Sequence, residues 1–519
     1  MVIKKALEKI LGKEDKGPEP DVDYMVGVST GMPKQYPTPA GRLGYSMSKG
    51  TEFMELMLEH PVAMAKREID EIKRIKKSMG IKLGLHGGFE VYLTSPYDID
   101  YISTEDQLKH YIDVTAKVKA KYINLHVCVL ARPRMYPLPR RYDYLVDENG
   151  ENIIKKISKK TPNLYKWFFN LIFSKYINIR GIEEEARRRK AKEIQSLKKD
   201  AENKKIDEET FYKKQSEILD GEIENIKEEY LNEWKKSLRR QPWSDHGTED
   251  VAFELMGRWM SETKDPLWKA YCGNKSYENV SEGKFVAAVS AKYVVGHLKK
   301  HLERMEEKKV IITLESPDAR GGQYAGYYRL QSSTDIYHIV KYLDSPYVRI
   351  LIDFEHEATQ GIDPMEDLKK APGDIGNYVL TLHVGTIPMP AHAHAPSPRG
   401  DVYLYKLVWE LRKKGFKRGI FIFERGGFEE PRLYEQIVIT LKDIAKYLSK
   451  DIPPDELPDE FFGLTPAEME HEKRVIDSHL FDPLQGMFEL PELSHTWLGK
   501  EAMEKKRIRP ETWKKEEHR

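Results

Sequence analysis

The 519-residue chain carries 85 basic and 84 acidic side chains, and its formal net charge of +1 marks it neither for nucleic acid nor for a membrane surface. Two cysteines, Cys128 and Cys272, exclude a disulfide framework and a cysteine-based zinc site. No segment reaches the roughly 20 apolar residues of a spanning helix, and lysines interrupt the apolar N-terminus, so we expect no signal peptide. These features predict a soluble, cytoplasmic protein with room for more than one domain.

Eight short apolar segments have the character of buried strands, with helical patterns between most of them. The strand segments are residues 24–30, 53–58, 81–87, 122–129, 309–315, 348–353, 379–385 and 419–424. Helical patterns cover residues 60–79, 104–120, 401–414 and 431–448, among others. Strands that alternate with helices in this way are typical of a closed parallel barrel. The sequence therefore predicts an α/β fold, a (β/α)8 TIM barrel.

The regular alternation is interrupted once, after the fourth strand. Residues 131–284 contain a Pro/Arg/Tyr loop, a Trp/Phe-rich stretch and then a highly charged helical run. We predict a helical insertion there, a lid or an arm, which divides the barrel into residues 22–130 and 285–450. A short N-terminal helix at 1–21 and a Pro-punctuated C-terminal extension at 451–519 complete the predicted organisation.

Consecutive strands, from the third to the eighth, end in residue types that bind metals. These residues are His86, His126, Glu315, Asp353, His383 and Glu424. In a (β/α)8 barrel the C-terminal strand ends meet at one mouth, which holds the active site. Imidazole nitrogens and carboxylate oxygens are ligands of zinc and manganese. One strand-end histidine is more often structural, but six residues of metal-binding type at successive strand ends predict a metal site.

Three further histidines follow the sixth and seventh strands. His356 stands three residues after Asp353, and since an extended strand would place the two on opposite faces, the chain must bend if both reach one centre. The alternative is a helix-capping Asp353 beside a surface histidine. His392 and His394 add imidazoles on the loop above the same face, unless they occur there by chance.

Two segments resemble the endonuclease IV family, within the xylose isomerase-like barrel superfamily. LIDFEHEATQGID, at 351–363, is similar to the strand-six signature of that family, and ESPDARGGQYAG, from Glu315, is similar to its glutamate with a glycine-rich loop. The other predicted ligands also follow the family's order. The resemblance covers residues 22–130 and 285–450, and it does not cover the insertion or the tail.

The resemblance implies a cluster of two or three divalent metals, typically zinc. The implied ligands are His86, His126 and Glu315 for one ion, Glu315 again with Asp353, His383 and Glu424 for a second, and His356 with His394 for a third. A metal-bound hydroxide would then cleave phosphodiester bonds in abasic or damaged DNA. The chain departs from the family at His392, which stands where the family has an aspartate, and at Gly385-Thr386, which replace an Asn-Asp pair.

A DNA partner requires cationic contacts near the mouth. Four arginines interleaved with tyrosines follow the fourth strand, and we expect them to contact DNA: Arg132, Arg134, Arg140 and Arg141. The alternative is an Arg/Pro loop held by acidic side chains of the insertion.

Two other classes of function remain open. A sugar isomerase or epimerase of the same superfamily would bind one Mn²⁺ or Mg²⁺ through Glu315, Asp353, His383 and Glu424. Glu315 and Glu424 would then be catalytic and exchange a proton beside a carbonyl, with His356 on the substrate. A binding or scaffold protein is the third class, but the fold itself does not require these ligand types. The sequence favours the zinc-dependent phosphodiesterase.

Overall fold

A closed barrel of eight parallel strands forms the centre of the molecule. The computed structural model describes residues 23–31, 38–46, 51–58, 64–88, 91–127, 145–161, 164, 179–238, 246–318, 330–385, 394–424 and 431–463. The strands are β1 (Tyr24–Ser29), β2 (Phe53–Leu58), β3 (Lys82–Gly87), β4 (Tyr122–His126), β5 (Ile311–Glu315), β6 (Val348–Asp353), β7 (Val379–His383) and β8 (Gly419–Phe423). The predicted (β/α)8 barrel is confirmed, and its strands are buried on both faces, which explains their continuous apolar runs.

The register of neighbouring strands determines which side chains meet at the C-terminal mouth. His126 at the end of β4 lies beside Glu315 at the end of β5, and Asp353 at the end of β6 lies beside His383 of β7. β8 pairs with β1 and closes the barrel. The register therefore places the strand-end side chains of β4 to β7 next to one another.

Helices surround the barrel and make up most of the described part of the predicted insertion. They are α1 (Pro39–Ser46), α2 (Lys66–Met79), α3 (Asp98–Val118), α4 (Ile153–Lys160), α5 (Ile179–Arg189), α6 (Ala191–Glu202), α7 (Glu208–Leu238), α8 (His246–Glu262), α9 (Pro266–Cys272), α10 (Glu282–Lys308), α11 (Ser333–Leu343), α12 (Phe354–Thr359), α13 (Pro364–Lys370), α14 (Val402–Lys413) and α15 (Pro431–Ser449). None of the helices in these described ranges is long and apolar enough to cross a bilayer.

Two helices start elsewhere than predicted. Helix α2 begins at Lys66 rather than at residue 60, since Ala65 has an extended backbone with φ −60° and ψ 152°. Helix α3 begins at Asp98 rather than at residue 104, and Asp98 and Asp100 in its first turn favour that start because carboxylates stabilise a helix N-terminus.

Helices α4 to α9 lie in the segment predicted as an insertion. Helices α5 and α6 pack against α7, where Arg189 lies 3.5 Å from Glu222 and 3.0 Å from Glu229. Helix α6 buries none of its residues, so its charges are solvated. Helix α10 runs across the expected boundary at 284 and packs on α3 and α11. The predicted N-terminal helix and the extension beyond 463 lie outside the described residues.

The apolar core has an outer layer and an inner plug. The outer layer lies between the strands and the helices. The plug fills the N-terminal half of the barrel interior and consists of Met25, Phe53, Tyr122, Ile311, Leu380, Ile420 and Ile422. Tyr122 fits there because Gly84 on β3 has no side chain: a Cβ at Gly84 would lie 2.5 Å from Cζ of Tyr122. The plug leaves the C-terminal half of the interior for polar side chains.

A half-buried carboxylate joins α3 to α10 through two buried histidines. Oε1 of Glu105 lies 2.6 Å from Nδ1 of His297, and its Oε2 lies 3.0 Å from Nε2 of His301. Burial raises the pKa of Glu105, but the two hydrogen bonds outweigh burial and lower this pKa to about 2. Burial lowers the pKa of His297, so the neutral ring donates its Nδ1–H to Glu105.

Glu105→Gln is expected to lower the free energy of unfolding at pH 7 by about 1–3 kcal/mol, because two buried imidazoles lose a charged acceptor. A carboxyl pKa that folding depresses stabilises the protein above its unfolded pKa, and this contribution disappears as the pH falls through the folded value of about 2. The difference between wild type and variant should therefore shrink as the pH falls below about 5, the upper edge of the unfolded carboxyl titration.

Urea denaturation at several pH values measures this difference. Glu71→Gln is the control, since Glu71 pairs with Arg74 on the exposed side of α2, and it should change stability far less than Glu105→Gln does. A Glu105→Gln deficit that stays constant as the medium is acidified would contradict this account.

Candidate metal centre

The structure brings together the six side chains predicted at the strand ends. His86, His126, Glu315, Asp353 and His383 stand at or next to the ends of β3 to β7, and Glu424 directly follows β8. All of them are buried, with at most 7% of any residue exposed. They form one cluster inside the C-terminal end of the barrel.

Glu315 lies at the centre of this cluster and faces four imidazoles. Its Oε2 lies 3.0 Å from Nε2 of His126 and 3.5 Å from Nε2 of His86. Its Oε1 lies 3.1 Å from Nδ1 of His383 and 3.2 Å from Nδ1 of His356. Asn124 on β4 donates a hydrogen bond to Oε2. Each carboxylate oxygen therefore faces two histidines, the arrangement expected of a bridging ligand.

One ring nitrogen of His383 faces the three carboxylates predicted at the ends of β5, β6 and β8. Its Nδ1 lies 3.1 Å from Oε1 of Glu315, 2.9 Å from Oε2 of Glu424 and 3.7 Å from Oδ2 of Asp353. These four residues come from the four consecutive strands β5 to β8. One nitrogen among three carboxylate oxygens is a donor set that suits a divalent cation.

Asp353 supplies the bend that brings His356 into the cluster. Its Oδ1 accepts hydrogen bonds from the backbone amides of Glu355 at 2.7 Å and His356 at 3.0 Å, which starts α12 directly after β6. Nε2 of His356 then lies 3.7 Å from Oδ2 of Asp353. Asp353 is thus a helix cap, but His356 is only 2% exposed and is not a surface residue.

His394 borders the cluster on its outer side. Its Nδ1 lies 3.9 Å from Oε2 of Glu424 and 3.8 Å from Oε2 of Glu355, and its backbone amide donates to Oε1 of Glu355 at 3.0 Å. The other candidate residues of the predicted site lie outside the described residues, so their positions stay predictions: His392, Arg132, Arg134, Arg140 and Arg141.

The pKa shifts reflect a concentration of negative charge. Burial would raise the pKa of Glu315 and of Glu424, but the adjacent His383 and other histidines lower both well below the usual range. Burial raises the pKa of Asp353 to about 7. For His86 burial is outweighed by the neighbouring glutamates, which raise its pKa to about 9, whereas burial prevails at His126 and lowers its pKa. The cluster attracts positive charge, as a cation site does.

Several sets of three or four ligand atoms lie close enough to share an ion. The sets are Glu315, Asp353, His356 and Glu424; His86, His126 and Glu315; His356, His394 and Glu424; and Glu55, His86 and His383, and within each set the ligand atoms lie within 4.8 Å of one another. Their chemistry and burial fit a divalent metal. Glu315 and Glu424 each belong to two of these sets, so the four sets fit a centre with one ion or with several.

Sequence reasoning missed two carboxylates. Glu55 on β2 is fully buried and lies 2.9 Å from His383, although it stands in the apolar segment FMELML. The signal in the sequence was the glutamate itself, because a charged residue within a segment predicted to be a buried strand needs a polar partner. Glu355, in the first turn of α12, is 4% exposed and bonds to the His394 amide.

No protein-family model matches the sequence, and no curated protein matches it. Among solved structures, the chain is similar to a D-tagatose 3-epimerase-like protein (TM-score 0.44, 11% identity, 83% of this chain and 100% of that one). It is also similar to 3-keto-D-glucoside 4-epimerase from E. coli (0.39, 10%, 80% and 98%). A third is a xylose isomerase domain protein from Planctomyces limnophilus (0.38, 11%, 83% and 99%). Similarity at these scores carries no inference about this chain.

The class of protein is defined by its own fold and site. The chain is a closed (β/α)8 barrel whose mouth gathers imidazoles and carboxylates from six consecutive strand ends. This is the position at which barrels of this kind hold their active sites.

Proposed function

We propose that this chain is a metal-dependent isomerase or epimerase of the xylose isomerase-like superfamily, acting on a small polyhydroxylated carbonyl compound. The observation that carries the proposal is the position of His383 Nδ1 within 2.9–3.7 Å of one oxygen each of Glu315, Asp353 and Glu424. These four residues are the ligands expected of a one-metal sugar isomerase of that superfamily, and the same four would also hold one ion of the phosphodiesterase cluster.

The residues of the cluster suit the movement of a proton beside a carbonyl. A divalent metal held by Glu315, Asp353, His383 and Glu424 would polarise the carbonyl of the substrate. The pKa values of Glu315 and Glu424 are held low, so both carboxylates are ionised and able to accept a proton. One carboxylate takes the proton from the adjacent carbon, whose C–H electrons form an enediolate. Epimerisation is completed when the second carboxylate, after taking up a proton from solvent, delivers it to the opposite face of that carbon. Isomerisation is completed when the first carboxylate returns its proton to the former carbonyl carbon and the hydroxyl proton of the neighbouring carbon passes to the former carbonyl oxygen.

A second candidate, the phosphodiesterase, is favoured by a different observation. His86, His126 and Glu315 form a second set of ligand atoms, and a one-metal site does not need the two histidines. Phosphodiester cleavage uses two or more metals that hold the phosphate and stabilise the leaving oxygen. The arginines proposed to contact DNA lie outside the described residues, so DNA as a partner stays a prediction.

Metal content and hydrogen exchange distinguish the two candidates. We expect one Mn²⁺ or Mg²⁺ per chain by elemental analysis, lost in His383→Ala and retained in His126→Ala. A panel of ketoses should show solvent deuterium entering the carbon beside the carbonyl, because isomerases of this kind exchange that proton. His110→Ala, an exposed histidine on α3, is the control for adventitious binding.

Two or three zinc ions per chain, one of them lost in His126→Ala, together with cleavage of abasic-site DNA and no deuterium exchange, would overturn the isomerase proposal in favour of the phosphodiesterase. Protein that binds no divalent metal would refute both candidates.

A further inference from the structure

Glu55 lies inside the barrel, on a strand that supplies none of the predicted ligands. Glu55 belongs to β2 and is fully buried. Oε1 lies 2.9 Å from Nε2 of His383, on the opposite side of the ring from the cluster, and Oε2 accepts a hydrogen bond from the Tyr122 hydroxyl at 2.5 Å. Both oxygens of Glu55 therefore already have partners in the protein.

Two other histidines of the cluster show the same division between their ring nitrogens. Nδ1 of His86 lies 2.9 Å from the carbonyl oxygen of Gly87, while its Nε2 faces Glu315. Nδ1 of His356 lies 2.9 Å from the carbonyl oxygen of Ser316 and 3.2 Å from Oε1 of Glu315, while its Nε2 faces Asp353. One nitrogen donates to a fixed acceptor, and this leaves the lone pair of the other nitrogen directed into the cluster.

We propose that Glu55 is a positioning residue that fixes the tautomer and the ring orientation of His383 for a divalent metal. With Nε2–H donated to Glu55, Nδ1 would be left to bind the divalent metal that Glu315 and Glu424 would also hold. A histidine ligand whose second nitrogen is held by a carboxylate is a stronger and better oriented ligand. This inference rests on the metal centre of the proposed function, but it holds for either candidate reaction.

The Tyr122 hydroxyl fixes the carboxylate in turn. Its ring is stacked on Phe53 in the plug, at a centroid distance of 5.9 Å, and it occupies the space left by Gly84. A chain of hydrogen bonds thus runs from the rigid plug through Glu55 to His383. Glu55 also lies near enough to His86 and His383 to share an ion with them, but its two existing partners favour the positioning role.

Metal affinity of the full-length protein, measured by competition with a chromophoric chelator, tests the proposal. Glu55→Ala should weaken Mn²⁺ and Co²⁺ binding about 10–100-fold, the usual effect of losing such a partner. Glu55→Gln should restore most of the affinity, because its amide oxygen can still accept Nε2–H. The visible spectrum of bound Co²⁺ should change in Glu55→Ala and return toward wild type in Glu55→Gln.

Tyr122→Phe is the second variant, and it tests the proposal if Glu55→Ala does not fold. It should weaken metal binding several-fold without changing the number of bound ions. Glu105→Gln, which changes a half-buried carboxylate between α3 and α10, is the control and should bind metal like wild type. Equal loss in Glu55→Ala and Glu55→Gln, with one ion fewer, would make Glu55 a ligand and overturn the proposal. Unchanged affinity in Glu55→Ala would also overturn it. Failure of the wild type to bind metal would instead refute the proposed function and this inference together.

Discussion

Glu315→Gln is expected to abolish metal binding and, with it, catalysis. The carboxylate lies within 3.5 Å of four imidazole nitrogens, and no other described carboxylate in the cluster faces both histidine pairs. Glutamine keeps the size of the side chain but removes the charge and turns one oxygen into an NH2 group. We expect affinity for Mn²⁺ or Zn²⁺ to fall by more than the roughly 10–100-fold that losing an outer hydrogen-bond partner costs.

Elemental analysis after dialysis against metal, and chelator competition, measure this loss. The matched control is again Glu105→Gln, because Glu105 also holds two buried histidines but does so between α3 and α10. The control should lose stability and keep its metal, whereas Glu315→Gln should lose its metal. A Glu315→Gln protein with its full metal content would refute the central position given to this carboxylate.

The strand-end cluster could be predicted because parallel strands in a barrel end at one mouth. Each ligand type stands immediately after an apolar run, so its position along the strand is visible without knowing the register. The register then explains why the predicted residues meet, as it pairs His126 with Glu315 and Asp353 with His383. The bend at Asp353 was also predictable, since an extended strand cannot turn both Asp353 and His356 inward.

The contact of Glu55 with His383 could not be predicted. Glu55 lies on β2 and His383 on β7, strands that are not neighbours, so their contact spans the barrel interior. Whether two such residues meet depends on strand tilt and stagger, which no local pattern reveals. The bond between Tyr122 and Glu55 has the same origin, because it requires the space at Gly84 on a third strand.

The pattern of ligand residues in the sequence also does not determine which of the two reactions the protein catalyses. Glu315 belongs to the ligand set of either candidate, so the residues predicted from the sequence fit one metal or several. The sequence resemblance favours the phosphodiesterase, whereas the departures from that family at His392 and Gly385-Thr386 favour the isomerase, and the three carboxylates near Nδ1 of His383 fit either. Only the number of ions bound, and the histidine on which each depends, separates these arrangements.

Asp353→Asn and Asp353→Ala are expected to separate the two roles of this residue. Oδ1 caps α12 through the amides of Glu355 and His356, while Oδ2 faces the ring nitrogens of His356 and His383. Asparagine can keep the cap through its amide oxygen but presents NH2 where Oδ2 stood. We expect it to lower metal affinity by more than about 10–100-fold, the cost of losing a mere outer partner.

Stability should respond differently from metal binding. Burial raises the pKa of Asp353 to about 7, so an uncharged amide in the metal-free protein relieves a cost of burial, and Asp353→Asn should unfold at least as late in urea as metal-free wild type. Asp353→Ala also loses the cap, which typically costs about 1 kcal/mol relative to Asn. We therefore expect the two variants to bind metal equally poorly and to differ in urea midpoint.

Asp363 provides the matched control because it caps α13 in the same way, by accepting hydrogen bonds from the amides of Met365 and Glu366. Asp363 belongs to none of the sets of ligand atoms found among the described residues. Asp363→Ala should lose about 1 kcal/mol and keep wild-type metal affinity. If Asp353→Asn binds metal as tightly as Asp363→Ala, Asp353 is a helix cap and not a ligand, and the carboxylate set around His383 is reduced to Glu315 and Glu424.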